Sequence, residues 1–356
     1  MHRGGAVSAG RAGRRGRALL RRVAALLAAL VLARPATTLA AQGAGAPSGG
    51  GTVDTVTFWS QSLGTHKRAL VWLPPGYARQ PQRRYPAAYY LHGLWGSETD
   101  WTRLGALHRT LDSLTAAGLP EMIVVMPDGD DGWYTTWNTL RDVSACRRGF
   151  TPRPGDDTEA SYCVPWPHYD DYIARDLVAA IDGRYRTRAS RDARAIAGLS
   201  MGGYGAISLA LRYPDVFRAA ASHSGVLSPA YAGVRPFDGT PRYAASDSAL
   251  RASYGERTWP LIAPAFGRDT AGWMAREPAR LAQRLVARDR SRVPALFLDC
   301  GTEDGLIDQS RSFREALHRL GVTPTYAEWP GGHDWSYWTL HARESLAWIA
   351  RQLSGG

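Results

Sequence analysis

The sequence predicts an α/β domain, a mostly parallel eight-stranded sheet with helices on both faces and two cap-like insertions at one end. Three observations carry this. From residue 87 onward, short apolar runs alternate with helical segments, the order that builds a parallel sheet. The runs are apolar throughout instead of alternating, as strands covered on both faces must be. Two stretches, about 138–168 and 229–275, break the rhythm with Pro, Gly, Arg and Trp, and so read as insertions over the end where such sheets place their ligands.

The elements follow in order. Residues 1–40 hold eight arginines and no acid, an apolar run at 23–33, and small residues up to Ala40 and Ala41. These are the three parts of a secretory signal peptide, cleaved near Ala40/Ala41. The apolar run is about half the length a bilayer span needs, so no stable membrane span is expected after cleavage. Residues 41–52 are a Gly- and Ala-rich flexible linker, and 53–356 form the α/β domain. Strands at 53–59 and 67–73 make a hairpin across Ser-Gln-Ser-Leu-Gly-Thr. Six further strands are expected at 87–91, 122–126, 193–197, 219–222, 295–299 and 325–329. Helices are expected at 101–117, 169–185, 201–213, 278–288, 309–320 and 337–353. In the second of these, Ile173, Leu177, Ile181 and Tyr185 recur at a spacing of four; Pro214 ends the third.

Gly198-Leu199-Ser200-Met201-Gly202 falls between the fifth strand and the helix after it. G-x-S-x-G at that junction is a nucleophile elbow, a turn too sharp for bulky neighbours. It exposes the serine hydroxyl above a helix N-terminus, where the dipole favours developing negative charge. A serine hydroxyl is a weak nucleophile and needs a base that a third group orients. The chain order in this architecture is serine, acid, histidine. Asp304, in the turn beyond the 295–299 strand, is the candidate acid, with Glu303 and Asp308 as alternatives. His333, between the last strand and the last helix, is the candidate base. His223 also follows a strand but precedes the acid, so it reads as a core or pocket-lining residue. An oxyanion hole needs two backbone donors; the candidates are Met201, just after the nucleophile, and Leu94 in His92-Gly93-Leu94-Trp95-Gly96.

With those residues in view, four ordered motifs stand out: Y-L-H-G-L-W-G, G-L-S-M-G-G-Y-G-A, C-G-T-E-D and G-G-H-D-W-S-Y-W. Together they resemble the esterase-D-like ("putative esterase") family of the α/β-hydrolase superfamily, over about residues 53–353. The resemblance implies an α/β-hydrolase fold, with Ser200 as nucleophile, Asp304 as acid, His333 as base, and Leu94 and Met201 as oxyanion donors. The family includes feruloyl and acetyl xylan esterases, siderophore esterases, S-formylglutathione hydrolases and mycolyltransferases. A leader counts against the cytoplasmic formylglutathione branch.

Composition narrows the function further. The net charge of +11 comes mostly from the leader, leaving +3 for the rest, so no nucleic-acid partner is expected. Lys67 is the single lysine against 42 arginines, the usage of a GC-rich genome. Cys146 and Cys163 can pair after export and staple the first insertion, while Cys300 ends a strand as a small buried residue. Asp128-Gly129-Asp130-Asp131-Gly132 hints at a calcium loop but lacks the spacing and distal Glu of an EF-hand, so neither metal nor cofactor is expected. Of thirteen tryptophans, Trp335 and Trp338 belong to a motif and read as packing. Trp95, Trp133, Tyr134 and Trp137 are the candidate substrate-binding residues, because aromatic faces suit sugar rings and aromatic acyl groups. The expectation is a secreted or periplasmic bacterial serine esterase acting on small-molecule or carbohydrate-linked esters. The alternatives are an acyltransferase with the same triad, or a non-catalytic binding protein, of which the usual sign, a missing triad member, is absent.

Overall fold

A computed structural model of the protein describes residues 49–152 and 158–354, which fall within one compact unit, 45–356. The leader and residues 41–48 of the linker lie outside the described residues. The last residues of the expected linker are already part of the domain. The Gly51 N–H donates to Asp112 Oδ1 at 2.7 Å, and Thr52 opens the first strand.

Eight strands form one sheet: β1 (Thr52–Ser60), β2 (Thr65–Leu73), β3 (Ala87–Leu91), β4 (Ile123–Pro127), β5 (Arg194–Leu199), β6 (Ala219–His223), β7 (Ala295–Gly301) and β8 (Thr325–Trp329). Their spatial order is β1-β2-β4-β3-β5-β6-β7-β8. β1 and β2 are antiparallel to their neighbours, and every pair from β4 to β8 is parallel. The apolar runs are buried on both faces because the pleat feeds two cores. In β3, Ala87, Tyr89 and Leu91 face the helices 169–184, 201–212, 278–289 and 307–319. Ala88 and Tyr90 face the helices Leu107–Ala116 and Trp335–Ser354.

Strand order reverses between β3 and β5, which makes their carboxyl ends the switch point where α/β sheets bind ligands. The register then sets the site. Leu91 pairs with Gly198, Leu199 with His223, His223 with Asp299, and Gly301 with Trp329. Five strand ends therefore line up, and the loops leaving them carry every catalytic candidate.

Two helices differ from expectation. The 101–117 segment is broken into Asp100–Arg103 and Leu107–Ala116 by Ala106 at φ 46°. Trp335 packs so close to Gly105 that a Cβ there would lie 2.8 Å from its ring. The 169–184 segment contains a π-helical stretch, Tyr172–Leu177. Ile173, Leu177 and Ile181 are nonetheless all buried. The two insertions touch. Asn138 N–H donates to Ala265 O at 3.2 Å, and Cys146 and Cys163 are disulfide-bonded in the first. No helix among the described residues is long and apolar enough to cross a membrane.

Candidate active site

Ser200 sits at the turn from β5 into the helix Met201–Arg212 with φ 53° and ψ −117°, a strained conformation that survives only where its surroundings enforce it. The enforcement is visible on both sides of the residue. Its N–H donates to His223 O at 3.0 Å, and its C=O accepts from Val226 N–H at 3.3 Å. The loop leaving β6 thus grips the elbow from both ends of the same residue. Gly202 is required by contact: a Cβ there would lie 2.5 Å from both Leu91 O and His92 O. One at Gly198 would lie 2.4 Å from Gly202 O.

His333 lies between Ser200 and Asp304. Its Nε2 is 2.9 Å from Ser200 Oγ, and its Nδ1 is 2.8 Å from Asp304 Oδ2. Asp304 Oδ1 accepts a second hydrogen bond, from Leu306 N–H at 2.8 Å. Burial would raise the Asp304 carboxyl, but the bonds from His333 and Leu306 outweigh it and hold the group below its ordinary range. An ionised Asp304 can only accept, so the imidazole proton belongs on Nδ1. Nε2 is left with a lone pair that faces Ser200 Oγ. The Trp338 ring meets the imidazole edge-on at 5.0 Å and limits its rotation. The alternative acids are engaged elsewhere or exposed: Asp308 accepts from Phe237 N–H at 2.8 Å, and Glu303 faces solvent. His223 is fully buried, with Nδ1 2.6 Å from Asp299 Oδ2, and supports the core.

The Met201 N–H opens a helix, where the first turn has no intrahelical acceptor. The Leu94 N–H has no acceptor among the described residues. The 92–96 loop presenting it is anchored repeatedly. His92 Nε2 accepts from Gly129 N–H at 2.8 Å, which puts the ring proton on Nδ1, 2.8 Å from Gly93 O. Tyr134 Oη donates to His92 O at 3.1 Å.

The aromatic candidates divide. Tyr134 and Trp133 do not line the mouth. Both have positive φ, 48° and 55°, which turns them inward after Gly132. Tyr134 is fully buried beneath the 92–96 loop, and Trp133, 3% exposed, packs on Tyr204 and Phe266. Trp95, within the 92–96 loop itself, is 51% exposed, with Arg257 5.4 Å from its ring centre. Trp137 lines a cleft of about 450 Å³ between the two insertions, together with Tyr162, Arg141 and Leu261.

Sequence reading missed two residue groups. Lys67, the single lysine, is 1% exposed and ion-paired with Asp128 and Asp130. It places a buried cation among the carboxylates of the acidic loop. Burial, with Asp128 alongside, raises the Asp130 carboxyl against the pull of Lys67. Asp131, in the same loop, accepts from Trp95 N–H at 2.7 Å and from Tyr162 Oη at 2.9 Å. The available signal was the coincidence of a lone lysine in a strand with a dense run of acids.

The chain is also similar to known proteins. A family model described as "Putative esterase" matches residues 60–349. An esterase of Mycobacterium tuberculosis is 31% identical over 292 residues, 78% of this chain and 54% of that protein. An endo-1,4-β-xylanase/feruloyl esterase of Xylanibacter ruminicola is 33% identical over 171 residues, 47% of this chain and 20% of that protein. The chain thus spans about half the length, or less, of these two relatives. Among solved structures, a ferulic acid esterase superposes with a TM-score of 0.63 at 26% identity, covering 85% of this chain and 99% of that one.

Proposed function

Because the chain belongs to the Putative esterase family, we propose that it is a serine carboxylic-ester hydrolase working through Ser200, His333 and Asp304. One observation carries this reading: the unbroken hydrogen-bond chain from Ser200 Oγ through both imidazole nitrogens to a buried carboxylate. His333 takes the Ser200 proton as the oxygen attacks the ester carbonyl. The oxyanion of the tetrahedral intermediate lies between the Leu94 and Met201 N–H groups, each such donor contributing about 3 kcal/mol to the transition state. Collapse expels the alcohol, which receives its proton from His333, and leaves an acyl-serine. A water molecule, deprotonated by the same imidazole, then releases the acid.

The substrates are carbohydrate-linked or small acyl esters. The exposed Trp95 face, the Trp137 cleft and the likeness to a ferulic acid esterase support this class. The protein works outside the cytoplasm. Its Arg-rich leader has the signal-peptide pattern, and the Cys146–Cys163 disulfide suits an oxidising compartment.

The test compares wild type with Ser200→Ala on acetyl, butyryl, octanoyl and feruloyl esters, with and without an added alcohol. Hydrolysis that Ser200→Ala abolishes in a folded protein is the expected result. A variant retaining more than a tenth of wild-type turnover overturns the assignment. Acyl transfer to the alcohol in place of free acid would make the protein a transferase.

A further inference from the structure

We propose that Asp131 is the positioning residue of the oxyanion hole, holding the Leu94 donor in place through its bond to Trp95. The inference rests on the esterase reading above, and its starting point is the acidic loop that reading left without a role. Asp128 and Asp130 pair with Lys67, whereas Asp131 Oδ1 accepts from the 92–96 loop.

Leu94 lies between two peptide planes, and the structure fixes both. The Gly93 C=O and the Leu94 N–H belong to one trans peptide, so they point in opposite directions. Gly93 O is held by His92 Nδ1 at 2.8 Å and by Gly96 N–H at 3.2 Å, which aims the Leu94 N–H away from them. The following peptide carries the Trp95 N–H, and its only acceptor among the described residues is Asp131 Oδ1, at 2.7 Å. This bond keeps Trp95 at φ 64°, a conformation costing a non-glycine residue on the order of 1 kcal/mol or more. Without it the residue can relax toward negative φ and swing the Leu94 peptide with it.

Both anchors come from one segment, since the His92 ring is itself set by Gly129 N–H. The other Asp131 oxygen accepts from Tyr162, next to the stapled Cys163. The loop leaving β4 therefore ties the oxyanion loop to the first insertion. A carboxylate beside a developing oxyanion is electrostatically unfavourable, so placement, not charge, accounts for it.

Two substitutions separate these roles. Asp131→Asn keeps an acceptor oxygen at the same place and removes the charge. Asp131→Glu keeps the charge and displaces the oxygens by one methylene. The expected result is that Asp131→Asn stays within about threefold of wild type in kcat. Asp131→Glu should lose about tenfold or more, with KM within about twofold, since a misdirected oxyanion donor affects the transition state and not ground-state binding. Affinity for a trifluoromethyl ketone, which forms a tetrahedral adduct on serine, should fall by the same factor as kcat/KM. The reverse order of the two variants, a loss confined to KM, or an Asp131→Glu protein equal to wild type overturns the proposal.

Hydrogen exchange supplies a readout that needs no substrate. Protection of the Trp95 amide should persist in Asp131→Asn and be lost in Asp131→Glu; equal protection in both overturns the proposal. A wild type without Ser200-dependent hydrolysis counts instead against the esterase reading. Should Asp131→Glu fail to fold, Asp131→Ala takes its place with the same expected losses.

Discussion

Asp304→Asn exchanges one oxygen for one nitrogen at the most buried end of the hydrogen-bond chain. Asp304 Oδ1 accepts from Leu306 N–H at 2.8 Å, a backbone donor that cannot become an acceptor. The asparagine oxygen must therefore stay on that side, and its NH₂ group faces His333 Nδ1 across the 2.8 Å that Oδ2 spans in the wild type. A donor opposite Nδ1 forces the imidazole proton onto Nε2. That is the atom that has to accept the proton of Ser200 Oγ, 2.9 Å away. Flipping the amide restores the tautomer but buries NH₂ against the Leu306 N–H, leaving donors unsatisfied at a cost of about 1–3 kcal/mol. Even the flipped form has lost the negative charge that stabilises the imidazolium. Together these put the fall in kcat at about 10³–10⁴. The assay is steady-state hydrolysis of p-nitrophenyl acetate, with Ser200→Ala as the baseline and a thermal melt as the folding control. A folded Asp304→Asn enzyme with more than a tenth of wild-type kcat would falsify the tautomer argument.

Four further outcomes follow from contacts already described. Gly202→Ala places a Cβ 2.5 Å from the Leu91 and His92 carbonyl oxygens, so it should cut kcat by at least about 100-fold or prevent folding; a folded, fully active variant would refute the close approach. Lys67→Met removes the buried ammonium that pairs with Asp128 and Asp130 and should cost about 3–5 kcal/mol, read as a large drop in denaturant midpoint; an unchanged midpoint would refute the buried ion pair. Glu277 is fully buried, and desolvation pushes its carboxyl from 4.5 up to about 8. The unfolded chain ionises first, so this group lowers stability as pH rises from about 4.5 to about 8, by at most about 1.4 kcal/mol per pH unit. Glu277→Gln should flatten the pH dependence of Tm across that window, and an unaltered slope would refute the burial. The Cys146→Ser/Cys163→Ser pair opens a disulfide of sequence separation 17, worth up to about 3 kcal/mol; limited proteolysis should cut first within 138–168, and cleavage unchanged from the oxidised protein would mean the staple is dispensable.

All eight strands and the elbow were legible in the sequence because the signals that specify them are local. An apolar run of five, a Gly-flanked serine and a proline after a helix each act within a few residues of themselves. The order serine, acid, histidine could be placed on loops for the same reason, each candidate lying just past a strand end. Tertiary structure alone decided which residues meet across the chain. Ala69 pairs with Pro127 in the β2–β4 register, and this, not any feature near Lys67, brings that lysine onto Asp128, 61 residues away. The parallel β3–β4 register, in which Tyr89 pairs with Val125, likewise sets the loop carrying Asp131 beside the loop carrying Trp95. The inward turn of Trp133 and Tyr134, read from sequence as pocket aromatics, depends on positive φ values that their residue types disfavour. Trp335 likewise packs against Gly105, at the break in the expected 101–117 helix, from a distance in sequence of 230 residues. Periodicity and turn chemistry are written in consecutive residues, whereas register and close packing are settled only when the strands pair and the two cores fill.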